Sequence, residues 1–285
     1  MSIASSLERL FAGRWIAGPE ISDVIAVAQR FNSVGIRAKI NYLGEDISDE
    51  AVVNDAVKTY LKVVEEAREE KLDIFIAVKP TQIGSLQGRE ALLSNYSKII
   101  RPARRAEIMV WLDMESHEEV DETIWLYGKE VKRKMVGICI QSYLKRSFED
   151  MKELVEKGGV IRLVKGAYKE DKEIAYASRE RVTQNYVEMM EYLFKNSDRF
   201  MIATHDTAMI RKALSLEKRY KKKAMFGMLN GVRNRYALEL AKKGEDVTIY
   251  LPFGKEWVQY AYRRLRESSN IKLIARSLLE KQDIY

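Results

Sequence analysis

Val160-Ile161-Arg162-Leu163-Val164-Lys165-Gly166 is the stretch on which the reading of this chain turns. Branched apolar residues dominate it, with an arginine inside, a lysine at its end and a glycine closing it. A continuous apolar run of this kind fits a strand buried on both faces, as in a parallel sheet covered by helices. Helical periodicity flanks it on both sides, over 147–156 and 174–196. The alternation continues outward in both directions. Apolar runs recur at 36–43, 74–79, 108–113, 135–141, 200–204, 224–229 and 247–251. Helical stretches separate them at 48–71, 88–105, 118–128, 207–218 and 233–242, and one more follows Pro252. Eight strand–helix units in about 250 residues predict an α/β fold, a (β/α)8 barrel of the TIM type. The barrel is expected to form one domain over 1–285, with additional N-terminal helices in 1–34 and a C-terminal helical tail at 271–285. An open doubly wound sheet is the alternative, but no G-x-G-x-x-G or Walker motif opens any of the helices.

The 285 residues are 46% hydrophobic and 32% charged, enough for a substantial core. A formal charge of +7 favours anionic partners without choosing among phosphate cofactors, acidic substrates, nucleic acid and an anionic membrane surface. The single cysteine, Cys139, lies in an apolar run and reads as core; it excludes an intrachain disulfide, which fits a reducing compartment. His117 and His205 stand far apart without metal-ligand spacing, so no metal is expected. No apolar run approaches the roughly 18 residues of a membrane span. Glu8 and Arg9 interrupt any signal-peptide core. A cytoplasmic protein is expected, with a charge that permits peripheral docking at the inner face of the membrane.

In barrels of this type the chemistry collects at the C-terminal ends of the strands. Strand two ends at Lys79, strand three at Asp113, Met114 and Glu115, and strand four at Gln141. Strand five carries Arg162 and Lys165 before Gly166 and Ala167, whose small size lets a phosphate approach the backbone. Strand six ends at Thr204, His205 and Asp206, and strand eight carries Tyr250. The helix after strand eight turns about 100° per residue, which puts Tyr260, Arg263 and Arg264 on one face. Two guanidinium forks side by side make a clamp for a planar carboxylate. An ionisable group inside a packed barrel is costly unless it is paired or used. Here cations outnumber anions at the strand ends, which predicts an anionic guest larger than a single carboxylate.

Several of these segments resemble those of the FAD-dependent proline dehydrogenase family. Arg162-Leu163-Val164-Lys165-Gly166-Ala167-Tyr168-Lys169-Glu170 is similar to its strand-five signature, and Ala203-Thr204-His205-Asp206 to its strand-six motif. Phe226 to Val232 resembles the strand-seven motif. Tyr250-Leu251-Pro252-Phe253-Gly254 with Tyr260, Arg263 and Arg264 resembles the last strand and helix. Tyr42-Leu43-Gly44-Glu45, Val78-Lys79-Pro80-Thr81-Gln82-Ile83-Gly84 and Trp111-Leu112-Asp113-Met114-Glu115 match further family segments in order. The resemblance implies FAD as cofactor and oxidation of L-proline to Δ1-pyrroline-5-carboxylate. It implies a quinone-type electron acceptor, and a Δ1-pyrroline-5-carboxylate dehydrogenase as partner. It places Lys79, Arg263 and Arg264 on the proline carboxylate, Tyr250 and Tyr260 beside the ring, and Asp113 next to Lys79 and the substrate. Arg162 falls near the reactive flavin nitrogen, while Met114, Gln141, Lys165, Gly166, Ala167, Thr204 and His205 contact FAD. Asn230 departs from the pattern, where an aromatic or larger residue is expected. The base that takes the proton from the proline amine stays open between Asp113 and a water.

Other readings remain. Lys165 or Lys79 could serve as the amine of a Schiff-base aldolase on the same barrel. A basic nucleic-acid binder would show affinity falling steeply with salt, yet it gives Tyr260, Arg263 and Arg264 no task. Asp113 with Lys79 could be a structural ion pair, and His205 a satisfied strand-end histidine. The acidic run 115–122 reads as a solvated helix start, and the basic run 218–223 as solvated surface.

Overall fold

A strand with apolar residues on both faces needs cover on both sides, and closing the sheet on itself leaves no unpaired edge. The chain follows that rule in the computed structural model, which describes residues 14–130 and 135–257. Eight parallel strands, β1 (Arg37–Tyr42), β2 (Ile74–Val78), β3 (Met109–Leu112), β4 (Val136–Gln141), β5 (Ile161–Val164), β6 (Phe200–Ala203), β7 (Met225–Leu229) and β8 (Asp246–Phe253), pair in sequence order, and β8 pairs back to β1. Around them lie α1 (Ile21–Ser33), α2 (Glu50–Glu69), α3 (Arg89–Arg105), α4 (Val120–Gly128), α5 (Ser147–Glu156), α6 (Arg179–Asn196), α7 (Thr207–Tyr220) and α8 (Asn234–Lys242). This is the expected (β/α)8 barrel. The segments 1–13 and 258–285, which include the Tyr260-Arg263-Arg264 helix and the 271–285 tail, lie outside the described residues. Among the described residues no helix is long and apolar enough to cross a membrane.

Element boundaries follow local chemistry. Asp49 caps α2 by accepting from the backbone N–H groups of Ala51 and Val52, and Asp206 caps α7 through Ala208 and Met209. The helix expected from residue 174 begins only at Arg179. Ser178 caps it by accepting from the Arg181 N–H, and Ala175 ahead of it is drawn into an antiparallel bridge with Leu144. Strand eight runs past its expected end at Leu251, because Asn41 and Tyr42 of β1 continue the register opposite Pro252 and Phe253.

Alternating strand residues divide the interior into two layers. One set, including Ile40, Ile76, Val110, Ile138, Leu163, Ile202 and Ile249, faces the helices. The other fills the barrel itself, with Phe75, Ala77, Met109, Trp111, Val160, Met201 and Met225. Trp111 is the largest side chain of this inner layer, and β4 makes room for it at Gly137. A Cβ built there would lie 2.4 Å from the indole ring. At the N-terminal end of the strands Arg37 closes the barrel over the Phe75 ring, held by Asp73 at 2.7 Å and Asp246 at 2.8 Å. The bottom is thus plugged by packing and charge, and the open end is the one formed by the strand C-termini.

Gly137→Ala forces Trp111 out of its seat. We expect it to lower stability by about 1–3 kcal/mol, the usual cost of overpacking a filled core. Urea unfolding with an unchanged midpoint in the variant would contradict this packing.

Candidate active site

The strand C-termini converge on a cavity of about 250 Å³. That is close to the lower end of the range for small-molecule sites, about 300–1,000 Å³. It suits a compact guest rather than a macromolecular one. Every predicted site residue that lies within the described chain lines it: Lys79, Asp113 and Tyr250; Met114, Gln141 and Arg162; Lys165, Gly166 and Ala167; Thr204 and His205. Tyr260, Arg263 and Arg264 lie outside the described residues.

Asp113 is the hub. Leucine and tryptophan before it seat β3 in the core, so the carboxylate leaves the strand end at a fixed height. Arg162 Nη2 donates to its Oδ1 at 2.7 Å, and the Tyr250 hydroxyl donates to its Oδ2 at 2.7 Å. One buried carboxylate therefore ties together the ends of β3, β5 and β8. Burial alone would push the Asp113 carboxyl up, but Arg162, Lys39, Lys79 and the Tyr250 hydroxyl together outweigh it and the group is held below its ordinary value. Burial likewise works against the Arg162 charge, and Asp113, helped by Cys139 and Tyr250, outweighs it, so the arginine stays charged.

Lys79 does not pair with Asp113. Its Nζ meets Glu45 Oε2 at 2.6 Å, from the loop after β1, and the Tyr168 hydroxyl donates to the same oxygen at 3.3 Å. Proximity in sequence motif does not decide such a pairing; the loop that reaches across does. Lys165 meets Asp206 at 3.3 Å and Thr183 at 3.4 Å. His205 accepts from the Leu229 N–H through Nε2 at 3.1 Å, so its neutral ring carries the proton on Nδ1, and its carbonyl accepts from Arg233.

Glu115 corrects the reading of 115–122 as a solvated run. The carboxylate is buried and accepts from both the N–H and the hydroxyl of Thr81, two residues beyond Lys79. Thr81 in turn accepts from the Asp46 N–H through its hydroxyl and from the Ile47 N–H through its carbonyl. Glu115 so fixes the turn carrying Lys79 and the loop carrying Glu45. Burial pushes its carboxyl up to about 7, against the pull of Lys79 and the two Thr81 bonds. Part of the basic run 218–223 is likewise committed: Lys222 donates to the carbonyls of Lys195 and Ser197, and Lys223 pairs with Glu217 and Glu245.

Asn230 shows what its small size does. Its Nδ2 reaches the carbonyls of Arg14 and Trp15, and its Oδ1 accepts from Asn234, so the loop after β7 is stitched to the segment before α1. Gly166 adopts a φ of +117°, and a Cβ there would lie 2.2 Å from the Tyr143 ring. The turn after β5 therefore needs glycine on both counts.

Sequence reasoning missed the contribution of β1. Lys39 and Asn41 line the cavity from this strand, and Cys139 lines it from β4 while remaining buried as expected. The signal was present: Arg37, Lys39 and Asn41 alternate with Ala38, Ile40 and Tyr42, so one face of β1 is polar throughout. In a barrel covered by helices the apolar face turns outward, and the polar face points into the barrel.

A sequence profile for the proline dehydrogenase family matches residues 24–275. Proline dehydrogenase 2 of Bacillus subtilis (strain 168) is 30% identical over 96% of this chain and 92% of its own length. The proline dehydrogenase of Deinococcus radiodurans is 32% identical over 94% of this chain and 90% of its own. Among solved structures, proline utilization A from Bdellovibrio bacteriovorus inactivated by N-propargylglycine superposes with a TM-score of 0.88 at 21% identity, over 98% of this chain and 35% of that one. Proline utilization A from Corynebacterium freiburgense gives 0.81 at 21%, over 97% and 33%. At that identity the likeness is one of fold, and this chain corresponds to about a third of those longer chains.

The raised Glu115 carboxyl has a stability signature. The unfolded group ionises near its ordinary value of 4.5, while the folded one holds its proton to about 7. Within that window the folded state binds the extra proton, so its contribution to stability falls as pH rises. We expect the stability of the wild type relative to Glu115→Gln to drop by roughly 2–3 kcal/mol between about pH 4.5 and 7. Parallel pH profiles for the two proteins in chemical unfolding would contradict the assignment.

Proposed function

This chain belongs to the proline dehydrogenase family, and from that premise we propose that it oxidises L-proline to Δ1-pyrroline-5-carboxylate with FAD as its cofactor. The observation that carries the reading is a pair of unpartnered polar atoms on two residues that line the cavity. Gln141 Nε2 donates to the carbonyls of Met114 and Glu115, which fixes the amide orientation and leaves Oε1 with no donor among the described residues. Arg162 gives Nη2 to Asp113 and leaves Nε with no acceptor among the described residues. A flavin ring carries one N–H and several acceptor atoms, which is the complement of that pair. Gln141 and Arg162 would hold the ring, and Met114, Lys165, Gly166, Ala167, Thr204 and His205 the rest of the cofactor. When bound, FAD supplies the two-electron acceptor that no amino-acid side chain provides.

The protein's own part is to bind, orient and tune. Proline is a zwitterion whose carboxylate needs cations; Lys79 provides one at the cavity wall, and Arg263 and Arg264 complete the clamp in this reading. Tyr250 and Tyr260 flank the ring and limit its freedom, so that the carbon beside nitrogen is presented for oxidation. Asp113 serves as a holder rather than a base. Its two oxygens are taken by Arg162 and Tyr250, and its depressed protonation leaves it a poor proton acceptor. Arg162 stays charged in a dry site, where it favours negative charge arriving on the acceptor. The quinone-type acceptor, docking at the inner membrane face and a product-consuming dehydrogenase partner belong to the same proposal.

An absorbance spectrum before and after addition of proline tests cofactor and substrate together: a flavin band should appear in the purified protein and bleach with proline. A colourless protein, or one trapped by borohydride on Lys79 or Lys165, would favour the aldolase reading. Arg162→Met is expected to lower kcat by about 10²–10³-fold with a much smaller change in proline affinity, as for loss of an electrostatic stabiliser; an unchanged kcat would remove it from the reacting centre. Arg263→Met and Arg264→Met should each weaken proline binding while FAD is retained. Loss of FAD with unchanged proline affinity would show that these arginines do not form the clamp.

A further inference from the structure

The reading above leaves Lys39 without a task. It rises from the middle of β1 into the barrel, is 2% exposed, and lines the same cavity as Tyr250 and Arg162. Its Nζ lies 3.9 Å from Met201 Sδ, 5.6 Å from the centre of the Trp111 ring and 5.2 Å from that of Tyr250. Ring faces and a thioether solvate an ammonium weakly, and among the described residues Lys39 forms no ion pair. The titratable and charged groups that face it are Arg162 on β5, Asp113 after β3, Cys139 on β4 and Tyr250 on β8. Asp113 is already committed to Arg162 and Tyr250. Arg162 lies with its Cζ 6.0 Å from the Tyr250 ring centre, so two cations would share one aromatic ring if Lys39 were charged. Burial, and then Arg162, drive the lysine well below its ordinary value, with Asp113 pulling weakly the other way. Burial and the neighbouring Arg162 charge thus favour the amine over the ammonium at this position.

Oxidation of an amino acid changes the charge of this cavity. The secondary ammonium of the substrate gives up one N–H proton. The adjacent C–H bond then breaks with its electron pair passing to the oxidised flavin, while the nitrogen lone pair becomes the second bond of C=N. The acceptor has gained a proton and two electrons, and with them one negative charge. We propose that Lys39 is the redox-linked proton acceptor of the site: neutral while the cofactor is oxidised, it takes up one proton as the cofactor is reduced. The proton lost by the substrate nitrogen is thereby retained in the cavity, and the reduced enzyme carries no added net charge. When the two electrons leave for the external acceptor, Lys39 returns its proton to solvent. This depends on the flavin reading of the preceding subsection.

The test is the pH dependence of the midpoint potential of the purified holoenzyme, measured by reductive titration of its flavin band. Each proton taken up with two electrons contributes about 30 mV per pH unit. Above about pH 7, where a free reduced flavin takes up a single proton, the wild type should show roughly twice that slope, and Lys39→Met about 30 mV per pH unit. Lys39→Gln should behave as Lys39→Met does, which covers the case in which one variant fails to fold. Equal slopes in wild type and variants overturn the proposal, and so does a wild-type slope of about 30 mV per pH unit on its own. Failure of the parent reading is seen separately and first, as a purified protein with no flavin band that proline bleaches; that result removes the proposal with it.

Discussion

A single buried carboxylate sets the geometry of this site. Asp113 accepts from Arg162 on one oxygen and from Tyr250 on the other, at 2.7 Å each. Taking an arginine and an aspartate out of water is costly, and the pair is tolerable only where geometry is good and the remaining lone pairs are used. Tyr250 uses them. The result is a rigid connection between three strand ends that are far apart in sequence, built from charges that have nowhere else to go. Removing one partner would leave the other buried and uncompensated, which is the expensive case. The network therefore fixes orientation first, and only through orientation does it act on a guest.

That orientation explains which polar atoms stay without a partner among the described residues. Arg162 spends one end of its guanidinium on Asp113, which aims Nε elsewhere. Gln141 spends its amide nitrogen on two backbone carbonyls, which aims its oxygen elsewhere. Neither side chain chooses its free atom; the surrounding backbone and carboxylate choose it. A donor and an acceptor are left over on the neighbouring strands β4 and β5 once the hydrogen bonds among the described residues are made. The backbone supports the same rim at Gly166, where a side chain would strike Tyr143.

The fold was legible because its signal is one-dimensional. Eight apolar runs separated by helical periodicity leave few arrangements, and parallel strands then put every chemical residue of interest at one end. Lys79, Asp113, Gln141, Arg162 and Thr204 could be named from position alone. What could not be read was pairing. Nothing in the spacing of Lys79 and Asp113 shows that Glu45 reaches over from the loop after β1 to take the lysine, or that Asp113 belongs to Arg162. Pairing depends on loop paths, which carry no periodicity. Glu115 was misplaced for a related reason: an acidic run looks solvated, and only the position of Thr81 shows that its first member turns inward. Lys39 was passed over because a lysine in a strand is ordinarily taken to face water, whereas a closed barrel offers its polar strand faces an interior instead.

Pairing also changes the electrostatic argument. The strand ends carry an excess of cations in sequence, which suggested a mouth made to attract anions. In the fold each of the three is matched: Lys79 by Glu45, Arg162 by Asp113 and Lys165 by Asp206. A matched pair attracts a carboxylate far less than a lone cation does, since the guest must compete with an anion already seated. The Lys79 and Glu45 side chains are each about one-seventh exposed and those of Lys165 and Asp206 more than a third, whereas Arg162 and Asp113 are both almost fully enclosed. The partly open pairs are the ones a carboxylate can enter, at Lys79 by displacing Glu45. A carboxylate-bearing guest would then bind by exchange at Lys79 while the Arg162–Asp113 pair stays closed and holds the floor. Such an exchange of one carboxylate for another would leave the charge balance at Lys79 unchanged.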